Sequence, residues 1–484
     1  MGKEAVFYKG IKLYIKETGC NNMNRYKGIQ HKGARHMPKR QWKGDYTGIG
    51  AALFLRSYIM MTVLFLIFMA SPALAKGIPG GTTKASDSKE LKLPYAFYND
   101  AFGAAVGFVY GSTGYPQPQA TTLGTVIAGS NSAVAFYLLS RDIRVPYTER
   151  FFFDTDLAVS HFGTIQSYIN GNPDFPDERA GSNGSDKDNF VEGSGDDNLV
   201  RVTFKYLLPM GGGRDLPMNP PVLDRGLPKK GAGGGYPWNP FVSGRTFLEV
   251  KPYWRVQTID SDNGTFDQKT NGIAFSVYRD NTDFTRNPSQ GSAVRARYTR
   301  DWGWADSSRP YEVGDVEISK YISLGSSDKF RQRVLALDFW TAEAFSWDNT
   351  SRQDGKLVFN RPPAYLGATL GGLWRMRGYP TSRFNDQAAV YYALEYRLIP
   401  EWNPFAHVDW MQRYLGIEWW QWVTFVEAGR VAPAWSVCEL HSAMKYDAGI
   451  GVRAMAKGIV VRVDMAGSKE GMGVSMMVGQ PFQF

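Results

Sequence analysis

The chain has 484 residues, 43% of them hydrophobic and 14% aromatic, with 52 glycines and a formal net charge of +9. The whole excess lies in the first 75 residues, which hold 12 Lys+Arg against 3 Asp+Glu; the remainder carries 43 of each, so charge makes no case for a nucleic-acid partner. Beyond residue 75 no apolar run approaches the roughly 20 residues that a membrane helix needs, so any passage into a bilayer is left to strands.

Residues 1–57 are basic and aperiodic. Tyr58–Ala70 is an apolar run of thirteen residues, followed by Ser71-Pro-Ala-Leu-Ala75. A positive flank, a short apolar core and an Ala-x-Ala end are the parts of a secretory signal peptide, with cleavage expected near Ala75. Met37 is the candidate true start, because it keeps Lys39, Arg40, Lys43 and Arg56 as the positive flank. Residues 1–75 are set apart as a leader and 76–92 as a short polar tail. With Cys20 in the leader, the exported part is expected to hold together without disulfides, as a closed barrel does by leaving no unpaired edge.

From residue 93 to 484 the chain reads as all-β. Strands are expected at 103–111, 120–130, 133–142, 150–162, 198–209, 245–257, 271–280, 291–303, 312–324, 331–345, 388–399, 419–429, 444–454, 458–467 and 473–482. In two of them the logic is plain. Val202, Phe204, Tyr206 and Leu208 share one face against Arg201, Thr203 and Lys205; Glu249, Lys251, Tyr253 and Arg255 oppose Leu248, Val250, Trp254 and Val256. Charged residues alternating with apolar ones suit a wet lumen and an oily exterior. The list has fifteen members and bacterial barrels have even numbers, so a sixteenth is expected between His161 and Asn198.

Two connections are long. Asn170–Asn198 is rich in Asp, Gly and Ser but lacks calcium-loop spacing, and reads as a solvated outer loop. Met210–Pro240, with its glycine runs, lacks the Gly-Lys-Ser/Thr ending of a phosphate loop and is irregular chain on an undetermined side. Trp402, Trp410, Trp419, Trp420 and Trp422 are candidates for an interfacial girdle.

Between Leu366 and Arg430 lies the most informative stretch. Trp374-Arg-Met-Arg-Gly-Tyr-Pro380 is a loop in which Gly378 permits a tight or positive-φ turn. In Ala389–Pro400, Val390, Tyr392, Leu394, Tyr396 and Leu398 oppose Tyr391, Ala393, Glu395 and Arg397; Phe425-Val-Glu-Ala-Gly429 follows. A loop arginine followed by carboxylates inside strands resembles the signature of the outer-membrane assembly superfamily, the BamA/TamA-type or bacterial surface-antigen barrels. The resemblance implies a transmembrane antiparallel β-barrel of 16 strands with an inward-folded Arg-Gly-Tyr loop. It gives Arg377, Gly378 and Tyr379 the role of a lumen latch, with Glu395 and Glu427 as partners and Gly429 closing the second motif. Glu427 stands where the family more usually has Asp. Leu93–Gly107 resembles the family's entry into the first barrel strand, and Tyr446–Arg453, Val461–Ala466 and Val478–Phe482 resemble the last three strands. Phe482 or Phe484 would serve as the aromatic assembly signal. The tail at 76–92 leaves no room for the POTRA modules, the periplasmic modules of the family.

No catalytic constellation, metal-ligand spacing or cofactor motif emerges, and no enzyme activity is expected. The resemblance implies an outer-membrane barrel of the protein assembly or translocation class. Its expected partners are outer-membrane lipid and lipopolysaccharide, unfolded client polypeptides and a separate periplasmic partner. A passive pore or structural barrel, or an anchor for another exported protein, is the alternative. Pro481 cannot donate a ladder hydrogen bond, Gly479 has no side chain to pack, and Gly103 and Gly107 occupy the prospective partner strand. A weak seam between first and last strands is expected there.

Overall fold

The computed structural model describes residues 88–99, 101–214, 221–229, 238–353 and 355–482. The leader, residues 76–87 of the tail and Phe484 lie outside them. Among the described residues no helix is long and apolar enough to cross a membrane.

The chain forms Lys89–Asn99 (β1), Gly103–Thr113 (β2), Thr121–Gly129 (β3), Val134–Arg144 (β4), Phe151–Ser167 (β5) and Val191–Leu207 (β6). A small hairpin, Leu223–Asp224 (β7) with Leu227–Pro228 (β8), precedes Arg245–Ser261 (β9), Gly264–Asp280 (β10), Gly291–Asp301 (β11), Tyr311–Ser323 (β12) and Phe330–Ala344 (β13). Two further pairs follow, Thr350–Gln353 (β14) with Lys356–Phe359 (β15) and Ala368–Leu370 (β16) with Phe384–Asp386 (β17). The rest is Ala388–Pro400 (β18), Ile417–Ala432 (β19), Lys445–Ala456 (β20), Ile459–Ser468 (β21) and Met472–Val478 (β22). The three small pairs stand apart; the other strands form one antiparallel sheet of 16, hydrogen-bonded in sequence order from β1 to β22 and rolled into a barrel.

Side-chain parity explains why the sheet rolls. Phe108, Val126, Phe275, Val426, Ile450 and Met465 stand exposed on the outer face, while the alternate positions carry the charged groups. Such a sheet is stable only if its apolar face meets lipid and its polar face encloses water and partners.

The sixteenth strand is β1, not a segment between His161 and Asn198: β5 and β6 simply run longer there, to Ser167 and from Val191. β1 takes in Lys89–Lys92 of the expected tail and pairs with β2 from Lys89↔Thr113 to Asn99↔Gly103. Gly103 and Gly107 therefore sit on the second strand, and the seam expected at them moves one strand back. Gly479 and Pro481 also fall outside the last strand, which ends at Val478.

The two edges overlap. Leu91, Val109 and Leu123 from the inner face of the first three strands pack with Ile417, Ala456 and Ile459, and Thr113 Oγ1 donates to the Lys457 carbonyl at 3.0 Å. Ile459 has the outward parity of Val463 and Met465 on its own strand, yet a Cβ added to inward-facing Gly111 would meet its Cδ1 at 2.3 Å. The last strands thus tuck inside the first. Amides of Val474–Val478 are expected to exchange at least tenfold faster than those of Leu394–Arg397, which lie between two paired strands. Equal protection in hydrogen-exchange mass spectrometry would count against a weak edge.

The 168–190 connection is packed rather than solvated. Ser185 and Asn189 are buried, the Asn385 N–H donates to the Gly181 carbonyl at 2.7 Å, and Asn183 Nδ2 donates to the Ala443 carbonyl at 2.9 Å. At the other end of the barrel, where β1 begins, the β7–β8 hairpin turns inward and Gly226 accepts from Trp419 Nε1 at 3.0 Å. Trp419 therefore leaves the expected girdle, whereas Trp402, Trp420 and Trp422 cluster with ring centroids 5.0–5.7 Å apart.

Candidate functional site

The connection between β13 and β18 does not stay outside the barrel mouth. Its β16–β17 pair carries the loop 371–383, which packs against the inner faces of β18 to β21. Gly371 and Gly372 hold φ values of +107° and +108°, which L side chains rarely adopt, and the Gly371 and Gly372 N–H groups donate to the Arg375 and Tyr379 carbonyls at 3.1 Å. The positive φ expected at Gly378 falls instead on Met376, at +57°. Gly378 is needed for close approach: its N–H donates to Asp447 Oδ2 at 2.9 Å, and a Cβ there would meet Asp447 Cβ at 2.7 Å. Gly429 serves the same end from the strand side, since its Cβ would run into Leu370 at 2.9 Å and Met376 at 3.1 Å.

Arg377 is brought to both expected carboxylates and to a third. Its side chain is 1% exposed; Nε donates to Glu427 Oε1 at 3.1 Å, Nη1 donates to Asp464 Oδ2 at 2.8 Å, and Nη2 lies 2.9 Å from Glu395 Oε1, off hydrogen-bond alignment. Its main-chain N–H takes the other oxygen of Glu427 at 2.6 Å. The guanidinium plane also covers Phe425, 3.5 Å from the ring centroid. A planar fan of donors can meet three carboxylates at once; an ammonium offers no such geometry.

Neighbouring arginines complete the cluster. Glu395 accepts from Arg453 Nη2 at 2.8 Å and from Arg397 Nε at 2.8 Å, and Asp464 accepts from Arg462 Nη1 at 2.8 Å. Four arginines (377, 397, 453, 462) face four carboxylates (395, 427, 447, 464), so the network has no formal excess of either sign. Tyr379 donates to the Tyr446 carbonyl at 3.1 Å and packs edge-on against Phe384. Arg375 pairs with Glu317 at 2.8 Å while lying over Trp340.

The 168–190 segment holds the base of this loop. Arg383 Nη2 donates to the Ser185 carbonyl at 2.7 Å and its Nε to Glu470 at 2.7 Å; Arg179 pairs with Asp386 at 2.6 Å.

Tyr391 donates to Glu427 Oε1 at 2.5 Å from a fully buried position. Hydrogen bonds to charged groups are worth roughly 1.5–3 kcal/mol, so Tyr391→Phe is expected to lower the unfolding free energy of the detergent-solubilised barrel by that amount while the folded band persists. An unchanged denaturant midpoint would show that Glu427 does not depend on this donor.

Sequence reading missed Asp447, Arg453, Arg462 and Asp464. Their inward parity was available, because Ile450 and Val452, and Val463 and Met465, mark the outward positions between them. Of the other expected residues, Gly103 starts β2 at φ +66° and a Cβ on Gly107 would strike the Tyr95 ring. Phe482 is buried inside the lumen rather than displayed on a strand. Among the described residues no group of three or more His, Cys, Asp and Glu is arranged to hold a metal.

The opposite wall differs. Arg201 pairs with Asp156 at 2.9 Å, Arg255 with Asp197 at 2.7 Å and Arg297 with Asp315 at 2.8 Å, yet side chains there reach 37% exposure. Both walls are charged, but the groups around Arg377 are 0–1% exposed, whereas Arg201 and Arg255 keep access to the lumen.

No protein-family model and no curated protein matches the sequence. Solved structures similar to the chain include BamA from Haemophilus ducreyi lacking POTRA domains 1–3, at 11% identity and TM-score 0.42, covering 82% of this chain and 70% of that one. CdiB from Acinetobacter baumannii matches at 10% identity and TM-score 0.43, covering 81% and 59%. CdiB from Escherichia coli matches at 10% identity and TM-score 0.49, covering 83% and 63%. The chain thus spans less than two thirds of either CdiB chain. All three TM-scores lie below 0.5.

Proposed function

We propose that this chain is an outer-membrane barrel of the protein assembly or translocation class, exported after cleavage near Ala75 and acting on polypeptides without covalent chemistry. The observation that carries the reading is the loop 371–383, held against the inner wall by Arg377 through Glu395, Glu427 and Asp464. A loop fixed there divides the lumen into a packed half and a more accessible half, and the overlapped edge beside the packed half supplies a strand border that can take up another chain. Outer-membrane lipid and lipopolysaccharide are its surroundings, unfolded polypeptides its clients, and a separate periplasmic protein the means of delivery.

The partly exposed charges at Arg201 and Arg255 favour a second reading, a passive pore. Reconstitution into liposomes separates the two. Insertion of an unfolded outer-membrane client several-fold faster than into liposomes bearing an unrelated barrel supports assembly. Solute conductance with no such acceleration supports the pore.

A further inference from the structure

We infer that the lumen contains a peptide-binding site, filled here by the chain's own residues 480–482. Its ligand class is an extended polypeptide segment bearing a primary amide with an aromatic residue two positions later. Its use by clients rests on the polypeptide-handling reading above; its existence does not.

After Val478 the chain leaves the sheet. Gly479, at φ +93°, donates its N–H to the Val460 carbonyl at 2.8 Å and turns inward. Gln480, Pro481 and Phe482 are then all buried. They meet a receptor assembled from five elements: Tyr321 on β12, Gln332 on β13, Arg397 on β18, Arg453 on β20 and Asn287 in the 281–290 connection.

The receptor reads side chains. Gln480 Oε1 accepts from Arg453 Nη1, and its Nε2 donates to Asn287 Oδ1 at 3.0 Å. Asn287 is oriented for this, since its own Nδ2 donates to Gln332 Oε1 at 3.0 Å. A carboxylate at this position could not donate to Asn287, and an apolar side chain would remove one partner from each, leaving Asn287 Oδ1 with Gln421 Nε2 at 3.3 Å and Arg453 Nη1 with Glu395 at 3.0 Å. Pro481 brings no N–H into the buried site that would need an acceptor. At Phe482 the Tyr321 hydroxyl donates to the main-chain carbonyl at 3.1 Å, and the Arg397 guanidinium lies 5.4 Å from the ring centroid. The ring joins an apolar cluster with Tyr321, Trp340 and Tyr391.

Two features make the occupant exchangeable and consequential. It hangs from one glycine beyond the last ladder strand, so it can withdraw without unpairing β22. Arg397 and Arg453, which hold it, also hold Glu395, the carboxylate beside Arg377. Filling the site and fixing the loop therefore draw on the same cations.

The test uses the full-length protein in detergent and a fluorescein-labelled synthetic peptide of residues 477–484. Saturable binding is expected to the chain carrying Gln480→Ala and Phe482→Ala, at least tenfold tighter than to the wild-type chain. Peptides with Glu at position 480 or Ala at 482 should bind at least tenfold more weakly. A benzoylphenylalanine at peptide position 482 should cross-link to tryptic fragments containing Tyr321 or Arg397. Equal binding to both chains, indifference to peptide sequence, or cross-links confined to the outer face would overturn the proposal. Should the double variant fail to fold, excess unlabelled peptide added to the wild-type chain must speed amide exchange at Gln480 and Phe482; no change overturns it. Peptide binding without accelerated client insertion would instead remove the assembly reading and leave the site standing.

Discussion

Arg377→Ala is expected to destabilise the barrel by about 3–5 kcal/mol, the usual consequence of removing one partner from a buried ion pair. The loss falls unevenly. Glu395 retains Arg397 and Arg453, and Asp464 retains Arg462, whereas Glu427 keeps the Tyr391 hydroxyl and loses its guanidinium. Most of the penalty should therefore be relieved by neutralising Glu427: Arg377→Met combined with Glu427→Gln should recover a large part of it, because two matched apolar or neutral groups avoid the stranded charge. Arg377→Lys should fall between, as an ammonium cannot reach three carboxylates in one plane. The readout is the fraction of heat-modifiable folded band at equal expression, with the guanidinium midpoint of the purified barrel. Wild-type values for Arg377→Ala would remove the loop's claimed dependence on this residue.

Glu395→Ala should do more harm. It would leave Arg377, Arg397 and Arg453 converging on a buried site without its anion, since Glu395 is 0% exposed and ion-paired with all three. A cost at or above the upper end of the same range, about 5 kcal/mol, is expected, enough to prevent most marginally stable domains from folding. Glu395→Gln keeps an acceptor and the shape but not the charge, and should be less severe. If Glu395→Ala folds and melts like wild type, the arginines must be finding other anions, and the cluster is not the structural centre that its geometry implies.

Much of this is legible in the sequence. Tyr391, Ala393, Glu395 and Arg397 alternate with larger apolar residues, and parity alone sent Glu395 inward. The same parity, counted back from Glu427, already placed Trp419 on the inner face with Gln421 and Phe425; reading the tryptophans as a group concealed it. β1 was lost for a more instructive reason. Its pattern is inverted: Leu91, Leu93 and Tyr95 face inward while Lys92 and Pro94 face out. A lumen-lining strand should show the reverse, but this one covers the apolar edge of the last strands instead of water. The partnership of Arg377 with Asp464 spans 87 positions and depends on which strands the loop happens to cross, which no local pattern encodes. The packed state of the 168–190 connection was hidden by its composition, since Asp, Asn, Gly and Ser serve equally for solvated loops and for loops pinned by their polar groups.

The unlike walls of the lumen imply unlike responses to ionic strength. Arg201 is 37% exposed, so mobile ions screen its pair with Asp156 over a Debye length of about 8 Å at physiological salt and weaken it further in brine. They do not reach Arg377. Raising sodium chloride should therefore loosen the exposed Arg201–Asp156 pair while the loop stays seated, giving a barrel whose stiffness is lopsided and tunable by the medium.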